Sequence, residues 1–352
     1  MSRNKSRKSA GRLSWRRLLG GLLAACLLLL LIIAIRQGAL RDLARELLPV
    51  PQTKAGLSLH MIDVGQGQAL LLTCGGKSAM VDTGLPGTSN EVVNYLWKQG
   101  VRRLEYLFIT HPHSDHCGGA KDVVERIGTQ VLIIPEYLSE EDALATAGDW
   151  VGKTDTPIAI THTGQQYRLG EATITVLHPA AGNEIDDMND LSLVLLVEYG
   201  GKRLLLTGDI TEAVEQELTD IGSVDVLQVP HHGSYTSGSA AFLEEISPDY
   251  ALISCGKNND YGHPHDVTLS RLEEVGAEIY RTDHSGTLVV TVNEGQISVG
   301  TVEMPLAKAH LRSRSMIVRI VSSSCDQYFH SMIAEQLRKG NTFFKAEKRP
   351  DQ

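Results

Sequence analysis

A cluster of side chains that commonly bind metals occupies residues 110–119, THPHSDHCGG. His111, His113, Asp115 and His116 fall within six positions, and imidazole and carboxylate groups suit zinc, manganese or iron. His111 and His113 are two residues apart, so in an extended segment their side chains point to the same side and could bind one ion. Asp115 and His116 lie beyond the bend and could bind a second. The spacing predicts a metal centre.

An apolar strand must position this cluster. The segment LEYLFIT, 104–110, is predicted to be a strand, and Gly118-Gly119 permit a tight turn into a helix. Loops at the ends of strands are where α/β scaffolds place functional residues. From Leu57 onward, short apolar strands alternate with turns and with helical patterns. This alternation predicts an α/β protein whose two sheets pack face to face with helices outside. The predicted helices are 89–99, 119–127, 211–221, 239–246 and 267–275.

The N-terminal segment has the pattern of a membrane anchor. Residues 18–35 form an uncharged apolar run that, at 1.5 Å per residue, nearly spans a hydrocarbon core of ~30 Å. Residues 1–17 carry seven Lys and Arg, so we expect a basic cytoplasmic flank, a single-pass anchor in the cell membrane and an extracytoplasmic remainder. A cleaved signal peptide, or a lipoprotein box at Leu23–Cys26, is the alternative.

Charge divides the rest of the chain into three predicted segments. Residues 36–56 are interpreted as a juxtamembrane linker that holds a short amphipathic helix ended by Pro49 and Pro51. Residues 57–303 form the predicted globular domain, and residues 55–303 carry 36 acidic against 13 basic side chains. Residues 304–352 are basic and predicted to be a disordered or partly helical tail, with binding of anionic lipid or nucleic acid as the alternative.

His-x-His-x-Asp-His after an apolar strand resembles the signature of the metallo-β-lactamase fold. Further blocks resemble the nuclease-like domain of ComEC-type DNA-internalisation competence proteins and their stand-alone relatives. The resemblance covers residues 57–303 and implies a four-layer αββα sandwich. The blocks that carry it are HMIDVGQGQALLL (60–72), MVDTG (80–84), NDLSLVLLVEYG (189–200), LLLTGD (204–209), VPHHGS (229–234) and NNDYGHPH (258–265).

The resemblance implies two divalent metal ions, zinc first and manganese as the alternative, with Asp209 as the bridging carboxylate. A histidine of VPHHGS would join the ligands of the first ion, and we favour His231 over His232. The other, His232, would then contact substrate or donate a proton, and Asp115 would steer the attacking hydroxide. The implied ligands are His111, His113 and His231 for the first ion and Asp115, His116 and His263 for the second.

Other matching residues are expected to support the site. Asp63 and Asp82 end strands and would orient metal-bound histidines, with simple turn formation as the alternative. Asn189 stands where many members of this fold carry a further histidine, which favours the nuclease-like branch over lactamases. His265 would support the ligands. The expected substrate contacts are Ser234, Lys257, Asn259 and Tyr261.

These residues predict a membrane-anchored, extracytoplasmic phosphodiesterase that attacks with a metal-activated hydroxide. Nucleic acid is one expected substrate. The acidic domain would repel it at long range, so a teichoic-acid or phospholipid-type phosphodiester is the other. The chain departs from the family at Gln68, which replaces a carboxylate, and one membrane span cannot form a channel alone. A hydrolase of another ester, or a non-catalytic metal-binding component of a DNA-uptake assembly, remains open.

Overall fold

A computed structural model describes residues 56–135, 156–180 and 187–302, together with Gly20, Leu23, Cys26 and Leu29. No helix within these residues combines the length and the apolar character needed to cross a membrane. Apart from the four isolated residues, the predicted anchor, 18–35, lies outside the described part of the chain. So do the predicted flank, 1–17, the tail, 304–352, and all of the linker except Gly56.

Two sheets contain the described strands, which are numbered in chain order. The first sheet has the order β15-β14-β1-β2-β3-β4-β5-β6, and its strands β3 to β6 are parallel. These strands are β1 (Leu57–Met61), β2 (Leu70–Cys74), β3 (Lys77–Val81), β4 (Leu104–Phe108), β5 (Thr129–Pro135), β6 (Ile158–Thr161), β14 (Thr287–Asn293) and β15 (Gln296–Val302).

The second sheet has the order β13-β12-β11-β10-β9-β8-β7, and its strands β10 to β13 are parallel. Its carboxyl-terminal strand ends contribute to the site described below. These strands are β7 (Gln166–Leu169), β8 (Ala172–His178), β9 (Val194–Tyr199), β10 (Lys202–Leu206), β11 (Val226–Gln228), β12 (Tyr250–Ile253) and β13 (Glu278–Arg281).

Helices follow most of the parallel strands, and five of them match the helices predicted from the sequence. In the described part of the chain, the connecting loops hold single 3-10 turns at Pro86–Thr88 and Met188–Leu191 and an irregular turn at Pro230–Gly233. The α-helices are α1 (Ser89–Lys98), α2 (Ser114–Cys117), α3 (Ala120–Arg126), α4 (Glu212–Glu217), α5 (Ala240–Ile246), α6 (Asp266–Glu274) and α7 (Thr282–Ser285).

Three buried clusters separate four layers. The central cluster fills the space between the sheets and includes Phe108 and Leu204. One outer cluster packs α1 and α3 on the first sheet, and the other packs α4, α5 and α6 on the second. In β2, Leu70 and Leu72 face the other sheet while Leu71 faces the helices, so every position of this apolar run is buried. The predicted two-sheet α/β architecture is confirmed.

Candidate metal centre

The candidate centre lies where the carboxyl ends of strands from both sheets meet. Asp82 directly follows β3, and the segment 111–116 follows β4. From the second sheet, Asp209 follows β10 and His232 follows β11. Loops at the carboxyl ends of parallel strands converge at one edge of a sheet, so residues distant in sequence are brought together.

Two overlapping groups of side chains place their possible ligand atoms within 4.8 Å of one another. His116 belongs to both groups. Its Nε2 lies 3.1 Å from Asp209 Oδ2 and 3.3 Å from His232 Nε2, and His232 Nε2 lies 3.3 Å from Asp115 Oδ2. Within the described residues, the groups are His111, His116 and Asp209, and Asp115, His116 and His232.

A buried carboxylate fixes the orientation of His116. The Nδ1 of His116 donates to Asp82 Oδ2 at 2.7 Å, and both side chains are fully buried. The other Asp82 oxygen accepts from the backbone N–H of Thr110 at 2.8 Å, so the carboxylate is itself held in place. Nδ1 therefore carries a proton and Nε2 faces Asp209, as expected of a carboxylate that orients a ligand histidine.

His232 is oriented by a backbone carbonyl. Its Nδ1 donates to the carbonyl oxygen of Ser254, which follows β12, at 2.8 Å. His231 and His232 have φ of 50° and 56°, so the segment is a left-handed turn and not the extended segment assumed from the sequence. A left-handed conformation costs a non-glycine residue about 1–2 kcal/mol. Strain of this kind concentrates at functional sites, and here it brings His232 into the buried cluster.

His111 is held through its Nδ1 by two hydroxyl groups. Its Nδ1 lies 3.0 Å from Thr110 Oγ1 and 3.2 Å from Ser192 Oγ, which also accepts the backbone N–H of Asp209. Its Nε2 lies 3.0 Å from His113 Nδ1. Ser192 thus ties a residue of the first sheet to one of the second, a role that its place beside Asn189 in NDLSL could have suggested.

The donor set fits divalent cations. Asp209 Oδ1 is buried and has no hydrogen-bond partner among the described residues, an uncommon state for a carboxylate oxygen. A cation would satisfy this oxygen, and the clustered imidazole nitrogens and carboxylates are the ligand types that zinc and manganese accept.

Electrostatics in the cluster favour bound positive charge. Burial opposes a charge on His232, but Asp209 and Asp115 outweigh it and raise the pKa of His232 to about 10. Burial also opposes a charge on His116, yet Asp209 and Asp82 hold its pKa well above the ordinary value. The pKa of His111 falls well below the ordinary value because of burial and the neighbouring His116. The carboxylates therefore attract either protons or metal cations to the same nitrogens.

Further predicted residues line a pocket of about 250 Å³ above this cluster. His231 Nε2 lies 3.9 Å from Asp209 Oδ2, and His231 Nδ1 contacts Thr236. Neither ligand group of the described residues includes His113, His231 or His263. The arrangement thus differs from the sequence-based assignment: His232 groups with Asp115 and His116, where the assignment had placed His263, and His231 lies outside both groups. The pocket is lined by Gln66, His113, Ser114, Asp115, Asn189, Asp209, His231, His232, Tyr261 and His263.

Several expected contacts have structural roles. Asp63 accepts the backbone N–H of Gly65, the turn-forming alternative, and does not orient a histidine. Ser234 is buried with its hydroxyl paired to Thr236, so it is not placed to contact substrate.

The loop after β12 holds the remaining expected contacts. The amide of Asn259 bonds both the N–H and the C=O of His263, so it positions that histidine instead of meeting a substrate. Lys257 is exposed and lies outside the pocket lining. His265 Nδ1 accepts the backbone N–H of Tyr235 at 3.1 Å, and Tyr261 stacks on His263.

Two glutamines connect the loop after β1 to the site. Gln68 is fully buried and its Nε2 donates to Asp82 Oδ2 at 3.0 Å, so the departure from the family supplies a donor to the carboxylate that orients His116. Gln66, which sequence reasoning did not select, donates from Nε2 to His263 Nδ1 at 3.3 Å while its Oε1 accepts Gly256 N–H. Its position in the segment GQGQ, residues 65–68, was the feature of the sequence that could have identified it.

The family is defined by a match over residues 62–257 to the model described as the Metallo-beta-lactamase superfamily. The match spans more than half of the chain, which therefore belongs to this superfamily. Within this superfamily, the chain is similar to competence proteins, which confirms the resemblance to ComEC-type competence proteins found in the sequence.

Two relatives of this chain are competence proteins. The chain is 32% identical over 254 residues to Competence protein ComA of Neisseria gonorrhoeae, and the alignment covers 70% of this chain and 34% of that protein. It is 30% identical over 253 residues to ComE operon protein 3 of Bacillus subtilis (strain 168), with 65% and 32% covered. The chain thus spans about a third of the length of both. A UPF0173 metal-dependent hydrolase of Archaeoglobus fulgidus is 27% identical over 199 residues, with 53% and 79% covered.

Proposed function

We propose that this chain is a dinuclear metal-dependent phosphodiesterase, anchored in the cell membrane by residues 18–35 with its catalytic domain outside the cytoplasm. Zinc is the first candidate for both ions and manganese the alternative. The proposal depends on the convergence of Asp115, His116, Asp209 and His232, in which one buried Asp209 oxygen has no partner among the described residues. Competence-protein and metal-dependent hydrolase relatives support the class.

The residues that would hold the ions are those whose free nitrogens and oxygens converge. His116, His232 and Asp115 would bind one ion and His111 the other, with Asp209 shared between them. His113, which lies outside both groups, would join His111 because its Nδ1 is 3.0 Å from His111 Nε2. When bound, the ions would lower the pKa of a coordinated water toward neutrality and offset charge on the phosphate. Asp115, whose side chain is partly open to the pocket, would orient the attacking water by accepting its hydrogen bond.

His263 would donate a hydrogen bond to a phosphate oxygen. Because Gln66 Oε1 accepts from Gly256, the NH₂ group of Gln66 faces His263 Nδ1 and donates to it. The ring proton of His263 therefore lies on Nε2, where it can be given to an oxygen of the substrate. Asn259 holds the backbone of His263 on both sides, so this donor is fixed before substrate binds.

A phosphodiester is the favoured substrate because the pocket combines acceptors for water with uncharged donors for phosphate oxygens. Asn189, which lines the pocket with its Oδ1 unpartnered among the described residues, adds an amide where lactamase-type members of the fold carry a histidine. Nucleic acid and teichoic-acid or phospholipid-type phosphodiesters both belong to this class.

The test combines metal content with hydrolysis. The purified full chain is expected to retain zinc or manganese, measured by mass spectrometry, and to cleave bis-p-nitrophenyl phosphate only with metal bound. Asp209→Ala is expected to lose both properties, while Glu125→Gln, an exposed residue of α3, serves as the matched control.

Two outcomes would reject the proposal. Cleavage of nitrocefin without cleavage of any phosphodiester would assign the chain to another ester class on the same fold. Stoichiometric metal binding without turnover of either substrate would favour the non-catalytic metal-binding role. Protease accessibility of residues 57–303 from outside intact cells tests the membrane orientation separately.

A further inference from the structure

Two exposed tyrosines lie beside the candidate metal centre. Tyr261 is 68% exposed and lines the pocket, and Tyr235, three residues after His232, is 62% exposed. They are the aromatic residues among the large hydrophobic side chains that are exposed in the described part of the chain. Single exposed rings are common, but exposed apolar surface grouped beside a pocket is typical of a ligand-binding site.

Four rings follow one another at this edge of the pocket, and we call them the aromatic rim: Tyr261, His263, His265 and Tyr235. Tyr261 stacks on His263 with ring centroids 5.6 Å apart and planes 23° apart. His263 and His265 are 5.0 Å apart, and His265 and Tyr235 are 4.9 Å apart, both edge to face. Each tyrosine ring thus packs against a histidine ring, while much of the tyrosine remains exposed to solvent.

The chemistry of the rim discriminates between the phosphodiester classes. Flat exposed rings bind other flat rings by stacking, and each stacked base contributes appreciably to binding. Among phosphodiesters, nucleic acids carry planar aromatic groups beside each phosphate, whereas glycerol and alditol phosphates carry none. Bases in a duplex are already stacked and paired, so the exposed face of Tyr261 is open only to an unpaired base.

We infer that the aromatic rim is a base-stacking subsite for a single-stranded nucleic acid whose phosphate lies at the metal centre. This inference rests on the proposed phosphodiesterase function and names its substrate class. Tyr261 takes the base beside the reacting phosphate because it lines the pocket, and Tyr235 takes a base further along the strand.

The negative charge of the domain limits how it could bind a nucleic acid. Residues 55–303 have a net charge of −23, and neither lysine nor arginine lines the pocket in the described part of the chain, so the pocket offers no lysine or arginine contact to the substrate. Proteins that neutralise many phosphates with such contacts release counterions and lose affinity steeply with salt, whereas a stacked base by itself releases no counterions. Binding by the aromatic rim is therefore expected to depend weakly on salt and strongly on the presence of bases.

The test measures binding by fluorescence anisotropy with the metal-loaded full chain. The probes are a labelled single-stranded oligothymidylate with hydrolysis-resistant phosphorothioate linkages, the same backbone with abasic residues, and the corresponding duplex. The single strand is expected to bind more tightly than either of the others. Tyr261→Ala is expected to weaken its binding about 5- to 100-fold, while Tyr261→Phe retains it because the ring remains. A tryptophan at this position, in Tyr261→Trp, should lose fluorescence when the bases stack on it.

Equal affinity for the normal and abasic strands, or no effect of Tyr261→Ala, would overturn the inference. Cleavage of bis-p-nitrophenyl phosphate would in that case still support the proposed function. Tyr261-dependent binding of glycerophosphate polymer or of anionic vesicles, with none of oligothymidylate, would likewise overturn it in favour of the other substrate class. Base-dependent binding without cleavage of any phosphodiester would support the subsite while rejecting the phosphodiesterase.

Discussion

The Nδ1 of His116 and the Oδ2 of Asp82 lie 2.7 Å apart inside a fully buried pair, and this contact determines which nitrogen of His116 faces the candidate metal centre. The same Asp82 oxygen also accepts from Gln68 and from the hydroxyl of Thr110. Three donors converge on one oxygen, so the orientation of His116 is over-determined.

Asp82→Asn is expected to weaken metal binding about 10- to 100-fold, since partners of this kind orient the ligand and raise its basicity. Asparagine tolerates the left-handed φ of 59° at this position, so the backbone is preserved. Competition with a chromophoric chelator measures the affinity, and Glu125→Gln is the control. An unchanged affinity would mean that Asp82 serves the fold alone.

The two consecutive histidines are expected to respond differently to substitution. His232→Ala should release metal because His232 Nε2 lies 3.3–3.4 Å from Asp115 and Asp209. His231→Ala should retain most of the metal and lose activity, because His231 lines the pocket outside the ligand groups of the described residues. Metal content after dialysis gives the comparison. Metal loss in His231→Ala with retention in His232→Ala would restore the assignment made from the sequence.

Gly67→Ala is expected to displace the segment that carries Asp115. A Cβ at Gly67 would lie 2.6 Å from the carbonyl oxygen of Asp115, and its φ of 152° disfavours other residues. Thermal unfolding with and without metal measures the effect, expected as a lower midpoint and a smaller stabilisation by metal. Gly87→Ala, where a Cβ meets nothing within 4 Å, is the matched control. Equal behaviour of the two variants would contradict the close packing.

His60 predicts a loss of stability in acid. Burial lowers its pKa from 6.5 to about 4, and its Nδ1 lies 2.7 Å from the hydroxyl of Tyr95. Between these values the unfolded chain binds the proton and the folded chain does not. The free energy of unfolding therefore falls as pH decreases, by at most about 1.4 kcal/mol per pH unit from this group, and the contribution is fully present above pH 6.5.

Urea unfolding of metal-free protein across this pH range tests the His60 prediction. His60→Leu is expected to be less stable at neutral pH, because the Tyr95 hydroxyl loses its partner, but to show a shallower dependence on pH. The same slope in both proteins would show that His60 is charged in the folded state or that other groups dominate.

The central strands could be predicted from the sequence because both of their faces are buried. Segments such as those of β2 and β9 are continuous apolar runs, and no turn residue interrupts them. The strands β6, β7 and β13, which show no long apolar run in the sequence, are all edges of their sheets. Edge strands keep one side partly open to water and carry polar residues, as in QYRL and EIYR, so their pattern is weak.

The site was predictable where ligand types cluster and unpredictable where backbone conformation decides. The spacing of His111, His113 and His116 placed them together without any coordinates. The choice between His231 and His232 depended on a left-handed turn that no spacing reveals. Asn259 was expected to contact substrate, but its amide forms hydrogen bonds within its own loop, and this local backbone arrangement could not be read from the sequence.

The candidate ligands come from both sheets, and this has a consequence for how the protein matures. His111, Asp115 and His116 extend from the first sheet, whereas Asp209 and His232 extend from the second. A growing polypeptide released from the ribosome up to β9 holds only three of these five donors. A metal ion bound later would link ligands from both sheets. Metal binding would therefore occur only in a chain whose two sheets have already packed together.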